Sequence, residues 1–550
     1  MKRFTAALLT FAAIFTLLGG TGAAICFYIK YAPSGKMADQ SEWFGASGDE
    51  AAIIWNQEQE HIEAKGRLIG GEIYLPLTWV QEHINEKFYW DAGSRQLIYT
   101  LPESIVYAGE DTLGSGGQPL VVEQEGEIWL LTGLIQTYTD VRIETFADGA
   151  VNRVFVDDRW EPEQVAKIKK DTKVRVRGGV KSSILTEAAA GDEVVVLETM
   201  ENWSEVRTGD GYIGYVENKR LGESQEKTLI STFAEPEYTS IALGEPVSLV
   251  WHQVTSQQAN KAMKELMANT KGVNVIAPTW FMLTDNEGGY ASLASQDYVD
   301  QAHAMGLQVW AVVDNFNQGT GVQSEVLFAD MNARKKLIAS LMEEVKKYDI
   351  DGINLDIESI KPSAGPHYVQ FIRELSVDCR KNGIVLSVDN YVPSAYSAFY
   401  DRAAQAQVVD YVIIMGYDEH YAGGEAGSVA SLDYVKNGIR DTLEEVPKEK
   451  LVNGIPFYTR VWKADGSSTA MGIAKAKSWV EENGVELYWQ EELGQYYGEA
   501  TTADGFCQIW MEEEDSIARK MELIREYDLA GVACWKLGFE PENIWDIVNP

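Results

Sequence analysis

The chain has 550 residues, more than one ordinary domain holds, and 45% of them are hydrophobic, enough to bury the cores of about three or four domains. Its formal charge of −36 argues against partners that are themselves polyanions, nucleic acid or an anionic lipid surface, but leaves neutral glycans open. The 16 Trp and 26 Tyr supply flat apolar faces of the kind on which sugar rings stack, although most are expected in cores and barrel walls.

At the N-terminus, Lys2 and Arg3 precede an uncharged run, residues 4–29, closed by Lys30 and longer than the ~20 residues needed to cross a bilayer. Residues 1–36 are therefore expected to be an uncleaved membrane anchor, with its basic end cytoplasmic and everything after Lys30 outside the cell. The alternative is a cleaved secretory signal, whose best site would be the weak Thr21-Gly22-Ala23. Cys26 follows Ile25, a poor match to a lipoprotein acylation site. Beyond it stand Cys379, Cys507 and Cys534, an odd number that makes no disulfide framework. The six His show no ligand spacing, and neither H-x-x-x-H nor C-x-x-C occurs, so no metal and no other cofactor is expected.

Residues 37–160 contain a repeat. Gly71-Glu72-Ile73-Tyr74-Leu75 recurs as Gly126-Glu127-Ile128-Trp129-Leu130, each followed by an amphipathic stretch and an aromatic strand near a turn, Asp91-Ala92-Gly93 and Asp148-Gly149. The repeat resembles the small N-terminal domain of some copper amine oxidases, without copper ligands; it reads as a rigid stalk or as a wall-binding module. Residues 168–225 hold short alternating strands with Gly-rich turns, suited to a small barrel. Trp203 and the closing Gly211-Tyr212-Ile213-Gly214-Tyr215-Val216 resemble bacterial SH3-like domains, which implies binding of peptidoglycan peptides, with Trp203 either core or ligand platform. Polar residues 222–240 read as a linker.

From there to the C-terminus, residues 238–550, strands alternate with helices. Apolar strands are expected at 247–254, 273–282, 307–314, 352–358, 385–392, 411–417, 452–458 and 532–537, with amphipathic helices such as 334–348 and 516–527 between them. Eight strands in about 300 residues predict an α/β fold of the (β/α)8 TIM-barrel type, with its chemistry at the C-terminal strand ends.

Residues 351–358, Asp-Gly-Ile-Asn-Leu-Asp-Ile-Glu, sit at such an end. A strand's period of two puts Asn354, Asp356 and Glu358 on one face and Ile353, Leu355 and Ile357 on the other. Two carboxyls so close are expected to share a proton, which is how a general acid is made at neutral pH.

The octapeptide resembles the D-G-x-D-x-D-x-E signature of glycoside hydrolase family 18, the chitinase-like barrels. The resemblance implies Glu358 as acid/base, Asp356 as the group that orients the substrate's acetamido nucleophile and steadies the oxazolinium ion, and substrate-assisted, retaining hydrolysis. Asn354 departs from the family's usual Asp; it is expected to hydrogen-bond Asp356 and contact substrate. Met415-Gly416-Tyr417-Asp418-Glu419-His420 resembles the family's M-x-Y-D element, implying Tyr417 on the acetamido carbonyl and Asp418 on the sugar. Trp535, in Gly531-Val532-Ala533-Cys534-Trp535, matches the Trp that floors the sugar subsite. Gly427-Ser428-Val429-Ala430-Ser431 and the ending from Gly531 to Glu540 resemble the spore-germination and cortex-lytic subgroup. The implied function is cleavage of N-acetylglucosamine linkages in cell-wall peptidoglycan or spore cortex. The alternatives are a chitinase and a barrel that binds glycan without cleaving it.

Overall fold

The computed structural model describes residues 30, 32–58, 63–147, 149–316, 321–503 and 505–549. The run 4–29, expected as an anchor, lies outside the described residues; among those described, no helix is long and apolar enough to cross a membrane. The chain divides into two units, residues 1–88 with 108–235 and residues 89–107 with 236–550.

In the first unit the repeat is structural. Strand Glu72–Pro76 leads into helix Leu77–His83 as strand Glu127–Leu131 leads into helix Thr132–Tyr138, and the two strands pair antiparallel, Leu75 opposite Leu130, within a seven-stranded sheet. A second seven-stranded sheet, from Glu163 to Lys227, forms the SH3-like module. Phe44, Ile54, Phe155 and Tyr212 are buried in one cluster drawn from both modules, and the Arg153 guanidinium lies 4.2 Å from the Tyr212 ring centroid. Trp203 is half-buried, against Gly178.

The second unit contains the expected barrel. Its strands are β1 (Val247–His252), β2 (Val275–Leu283), β3 (Gln308–Asp314), β4 (Gly352–Asp356), β5 (Val385–Tyr391), β6 (Tyr411–Met415), β7 (Leu451–Pro456) and β8 (Gly531–Trp535). All pair in parallel, and β1 pairs with both β2 and β8, which closes the cylinder. Gly352 is required by packing: a Cβ there would stand 2.5 Å from Trp310 Cδ1 on the neighbouring strand. Asp351, the first acid of the octapeptide, faces away from the mouth; its Oδ2 accepts from Val309 N (2.8 Å) and lies 2.8 Å from His303 Nε2.

Two features depart from the expected organisation. Between β7 and β8 the chain builds a five-stranded antiparallel sheet, Tyr458–Lys463 through Gly505–Met511, with helix Ile473–Glu482. Its last strand leads into the fully buried pair Glu512 and Lys520, 3.0 Å apart, with Gln495 also donating to Glu512. The second departure corrects the 238–550 boundary: residues 89–107 belong with the barrel. Strands Tyr89–Asp91 and Gln96–Thr100 form a hairpin whose Asp91 Oδ2 accepts from Met331 N (2.8 Å) and from Arg334 Nη1 (3.3 Å) on helix Met331–Tyr348. Arg334 is wholly buried and also pairs with Glu374 (3.0 Å) on helix Gly365–Asn382, while Tyr89 OH lies 2.6 Å from His367 Nδ1. A buried guanidinium needs its carboxylates, and one of them comes from this distant hairpin.

Asp91→Ala should leave the Met331 amide without its acceptor and Arg334 with Glu374 alone, a loss of about 3 kcal/mol. Urea unfolding of the full chain, followed by tryptophan fluorescence, should show the barrel transition at lower denaturant. A chain starting at residue 236, without the hairpin, should lose more.

Candidate active site

The pleat of β4 turns Asn354 and Asp356 into the barrel and Ile353 and Leu355 outward, and all four are buried. Glu358 lies two residues beyond the strand, half-buried at the C-terminal mouth. Asn315, just past β3, clamps its backbone from both sides, donating to Glu358 O (2.8 Å) and accepting from Glu358 N (3.0 Å). Ser359 then turns away with φ 54°. Tyr391, at the end of β5, donates to Glu358 Oε2 at 2.6 Å and accepts from Ser359 N at 3.2 Å. One carboxyl oxygen is thus engaged; among the described residues no bond is made to Oε1.

Asn354 departs from its expected role. It is fully buried, its Oδ1 accepts from Trp251 Nε1 (3.0 Å), and its Nδ2 donates to Ser387 Oγ (3.0 Å) and Asp389 Oδ1 (2.8 Å). Its acidic partner is therefore Asp389 on β5 rather than Asp356, and it offers no surface to a ligand.

Four carboxyls converge here, Asp314, Asp356, Glu358 and Asp389, and among the described residues none forms an ion pair with a cation. Burial pushes Asp314 up to about 6, against the hydrogen bond from Phe316 N. Burial, then the charges of Asp389, Glu358 and Asp314, hold Asp356 well above the usual carboxylate range, and its Oδ1 is buried without a hydrogen-bond partner. Asp389 is likewise held well up by burial, against the bond from Asn354. Burial raises Glu358, while the Tyr391 hydrogen bond opposes the rise and the Asp418 and Asp314 charges add to it. The arrangement stores protons and presents one of them at the mouth.

Tyr417 follows β6 and is buried; burial and the charges of Asp356 and Asp389 raise its hydroxyl far above the ordinary tyrosine value. Gly454 on β7 makes room for it, since a Cβ there would lie 3.1 Å from Tyr417 Cε1. Asp418 is exposed, with φ 59°, and accepts from Tyr458 OH with Arg460 Nη2 3.9 Å away. Trp535 ends β8 half-buried, edge-on to Trp251 with ring centroids 6.1 Å apart. The residues singled out from sequence thus gather at one mouth, with Asn354 beneath it. Asp314, Asn315, Asp389 and Tyr391 were not anticipated. For the last two the signal was the alternation Ser387, Asp389, Tyr391 along β5.

Residues 319–540 match the family described as "Glycosyl hydrolases family 18", and residues 175–221 match "Bacterial dipeptidyl-peptidase Sh3 domain". The chain is 28% identical over 290 residues to the "Uncharacterized glycosylase YvbX" of Bacillus subtilis (strain 168), covering 50% of this chain and 84% of that protein. It is 26% identical over 237 residues to the "Cortical fragment-lytic enzyme" of the same organism, covering 41% of this chain and 55% of that protein. Against the "Putative sporulation-specific glycosylase YdhD" it is 27% identical, covering 42% of this chain and 58% of that protein, so it spans little more than half of these last two relatives. Among solved structures, a chitinase from Chromobacterium violaceum ATCC 12472 aligns with a TM-score of 0.51 at 23% identity, over 55% of this chain and 98% of that one. The Bacillus cereus spore cortex-lytic enzyme SleL aligns with a TM-score of 0.51 at 19% identity, over 65% and 88%. These two likenesses establish the fold alone.

Tyr391→Phe removes the hydrogen bond that favours ionised Glu358, so the Glu358 carboxyl should titrate at higher pH than in the native chain. Difference infrared spectra of the protonated carboxyl band, with a Glu358→Gln variant to assign it, check the direction. A Glu358 band that titrates unchanged would mean the Tyr391 contact does not govern its proton.

Proposed function

We propose that the family 18 glycoside hydrolase barrel this chain carries cleaves N-acetylglucosamine linkages in bacterial cell-wall glycan, peptidoglycan or spore cortex, by retaining, substrate-assisted hydrolysis. The observation that carries the reading is the Glu358 carboxyl: half-buried at the mouth, raised by burial, held on one oxygen by Tyr391 and, among the described residues, unbonded on the other. In this reading Glu358 gives its proton to the glycosidic oxygen and later takes one from water. The acetamido oxygen of the substrate attacks the anomeric carbon from the other side. Asp356 aligns the acetamido group and faces the positive charge of the oxazolinium ion, and Tyr417 donates to its carbonyl. Trp535 provides the apolar floor for the sugar and Asp418 a polar edge. No metal takes part.

The wall-glycan assignment is supported by the cortical fragment-lytic enzyme among the relatives and by the match to an SH3 domain ahead of the barrel. It goes with an extracellular barrel, tethered through residues 1–36 or released by their cleavage. Tethering raises the local concentration of a fixed polymer without any new contact at the catalytic centre.

Incubating the protein with peptidoglycan, spore cortex and chitin, and identifying the products by mass spectrometry, tests the assignment. Reducing-end N-acetylglucosamine from the two wall glycans supports it, and release from chitin alone favours a chitinase. Glu358→Gln should lower the rate by about two to four decades while leaving the fold unchanged. A variant keeping more than about a tenth of the native rate would remove Glu358 from the acid role. Because the acid must be protonated to act, activity should fall as pH rises through the elevated Glu358 titration.

A further inference from the structure

The three hydrogen bonds of Asn354 fix more than its position. Trp251 Nε1 can only donate, so it identifies the Asn354 oxygen, and the amide NH2 must then face Ser387 and Asp389. Asp389 Oδ1 is consequently an acceptor, and any proton on Asp389 sits on the other oxygen. Asp389 is 3% exposed. It lies at the inner face of β5 one strand from Asp356, whose Oδ1 is buried with no partner. Ser387 pairs in register with Asn354, so the Asp389 side chain lies toward the mouth from the amide, at the level of the reacting groups.

We propose that Asp389 is a positioning acid for the hydrolysis, forming with Asp356 a pair that holds one proton and passes it between them, the part that an amide at position 354 is unable to play. This rests on the functional reading above. When the oxazolinium ion forms, Asp356 must be an anion: its proton moves to Asp389, so that Asp356–H with ionised Asp389 becomes ionised Asp356 with Asp389–H. When water opens the ring, the proton returns. Proton and charge balance within the pair, and Asn354 holds Asp389 in place through both states. The titratable groups that act on or lie against the pair are Asp314 from β3, Glu358 beyond β4, Tyr368 from helix Gly365–Asn382, Tyr400, Tyr417 beyond β6 and, among the described residues, no cation.

The test compares the native full chain with Asp389→Asn and with the double variant Asn354→Asp/Asp389→Asn, which returns an acid from β5 to β4. In Asp389→Asn the charge that raises Asp356 is gone and its proton has no acceptor. The expected result is a fall of kcat by about tenfold or more with KM little changed, and a shift of the acidic limb of the pH–rate profile to lower pH. The double variant should recover most of kcat. A purely structural Asp389 would instead give an unshifted profile and no recovery.

A second readout needs no catalysis. A buried acid with a raised folded titration contributes stability in full below its unfolded value near 4, and loses it as pH rises through the folded value. Asp389→Asn should therefore flatten the decline of Tm with rising pH above about 4. If Tm declines as steeply in the variant as in the native chain, the proposal is overturned whatever the kinetics. If Glu358→Gln retains the native rate while Asp389→Asn still flattens the Tm curve, the functional reading fails and the buried proton pair stands.

Discussion

Burying a carboxyl away from any cation is costly unless it keeps its proton, and the barrel mouth buries Asp314, Asp356 and Asp389 and half-buries Glu358 under that condition. The side chains that donate to them are uncharged. Trp251 donates to Asn354 and Asn354 to Asp389, so the Asn354 amide presents hydrogen to a carboxyl oxygen. Tyr391 does the same for Glu358. Such donors steady an anion when it forms but bring no full charge, so they oppose the rise that burial imposes on Glu358 and Asp389 without cancelling it.

Buried charge elsewhere in the unit is handled in the opposite way. Arg334 has Asp91 and Glu374, and Lys520 has Glu512. The first pair lies where distant parts of the sequence meet, the hairpin at residues 89–107 against two barrel helices, whereas the second is local, tying Glu512 after the last strand of the insertion to helix Glu514–Glu526 ahead of β8. Breaking either pair would strand a charge in the interior, which gives these joints a geometric specificity that apolar packing alone lacks. The helices that the hairpin binds, one through Asp91 and the other through Tyr89 and Thr100, flank β4, since helix Met331–Tyr348 leads into it and helix Gly365–Asn382 follows Glu358. The docked hairpin therefore braces the scaffold of β4.

What was legible in the sequence follows the range of the interactions involved. The eight strands and the placement of Asp356, Glu358, Tyr417 and Trp535 at their C-terminal ends could be read because periodicity and motif spacing are local. The repeat was legible up to its helices, but its copies diverge afterwards, Arg142–Phe146 staying in the first unit while Tyr89–Asp91 joins the second. Nothing local to Asp91 announces that its counter-ion is Arg334. The insertion left only an unusually long interval between β7 and β8. Asp389 escaped because a parallel strand is buried on both faces, so alternation along β5 shows which residues share a face without showing that the face is the inside.

The octapeptide divides its labour along its length. Asp351 ties the start of β4 to Val309 N and His303, and Gly352 leaves the space that the Trp310 indole fills. Ile353, Leu355 and Ile357 bury outward. On the inner side depth decides chemistry: Asn354, deepest, makes only protein contacts; Asp356 is one pleat nearer the mouth with an unmatched oxygen; Glu358 emerges past the strand where the Asn315 clamp and the Ser359 turn hold it. A period-two pattern carried through Glu358 predicts the same face for all three but not this gradient of burial. The gradient gives one strand a wholly buried amide, a buried acid and a half-exposed carboxyl.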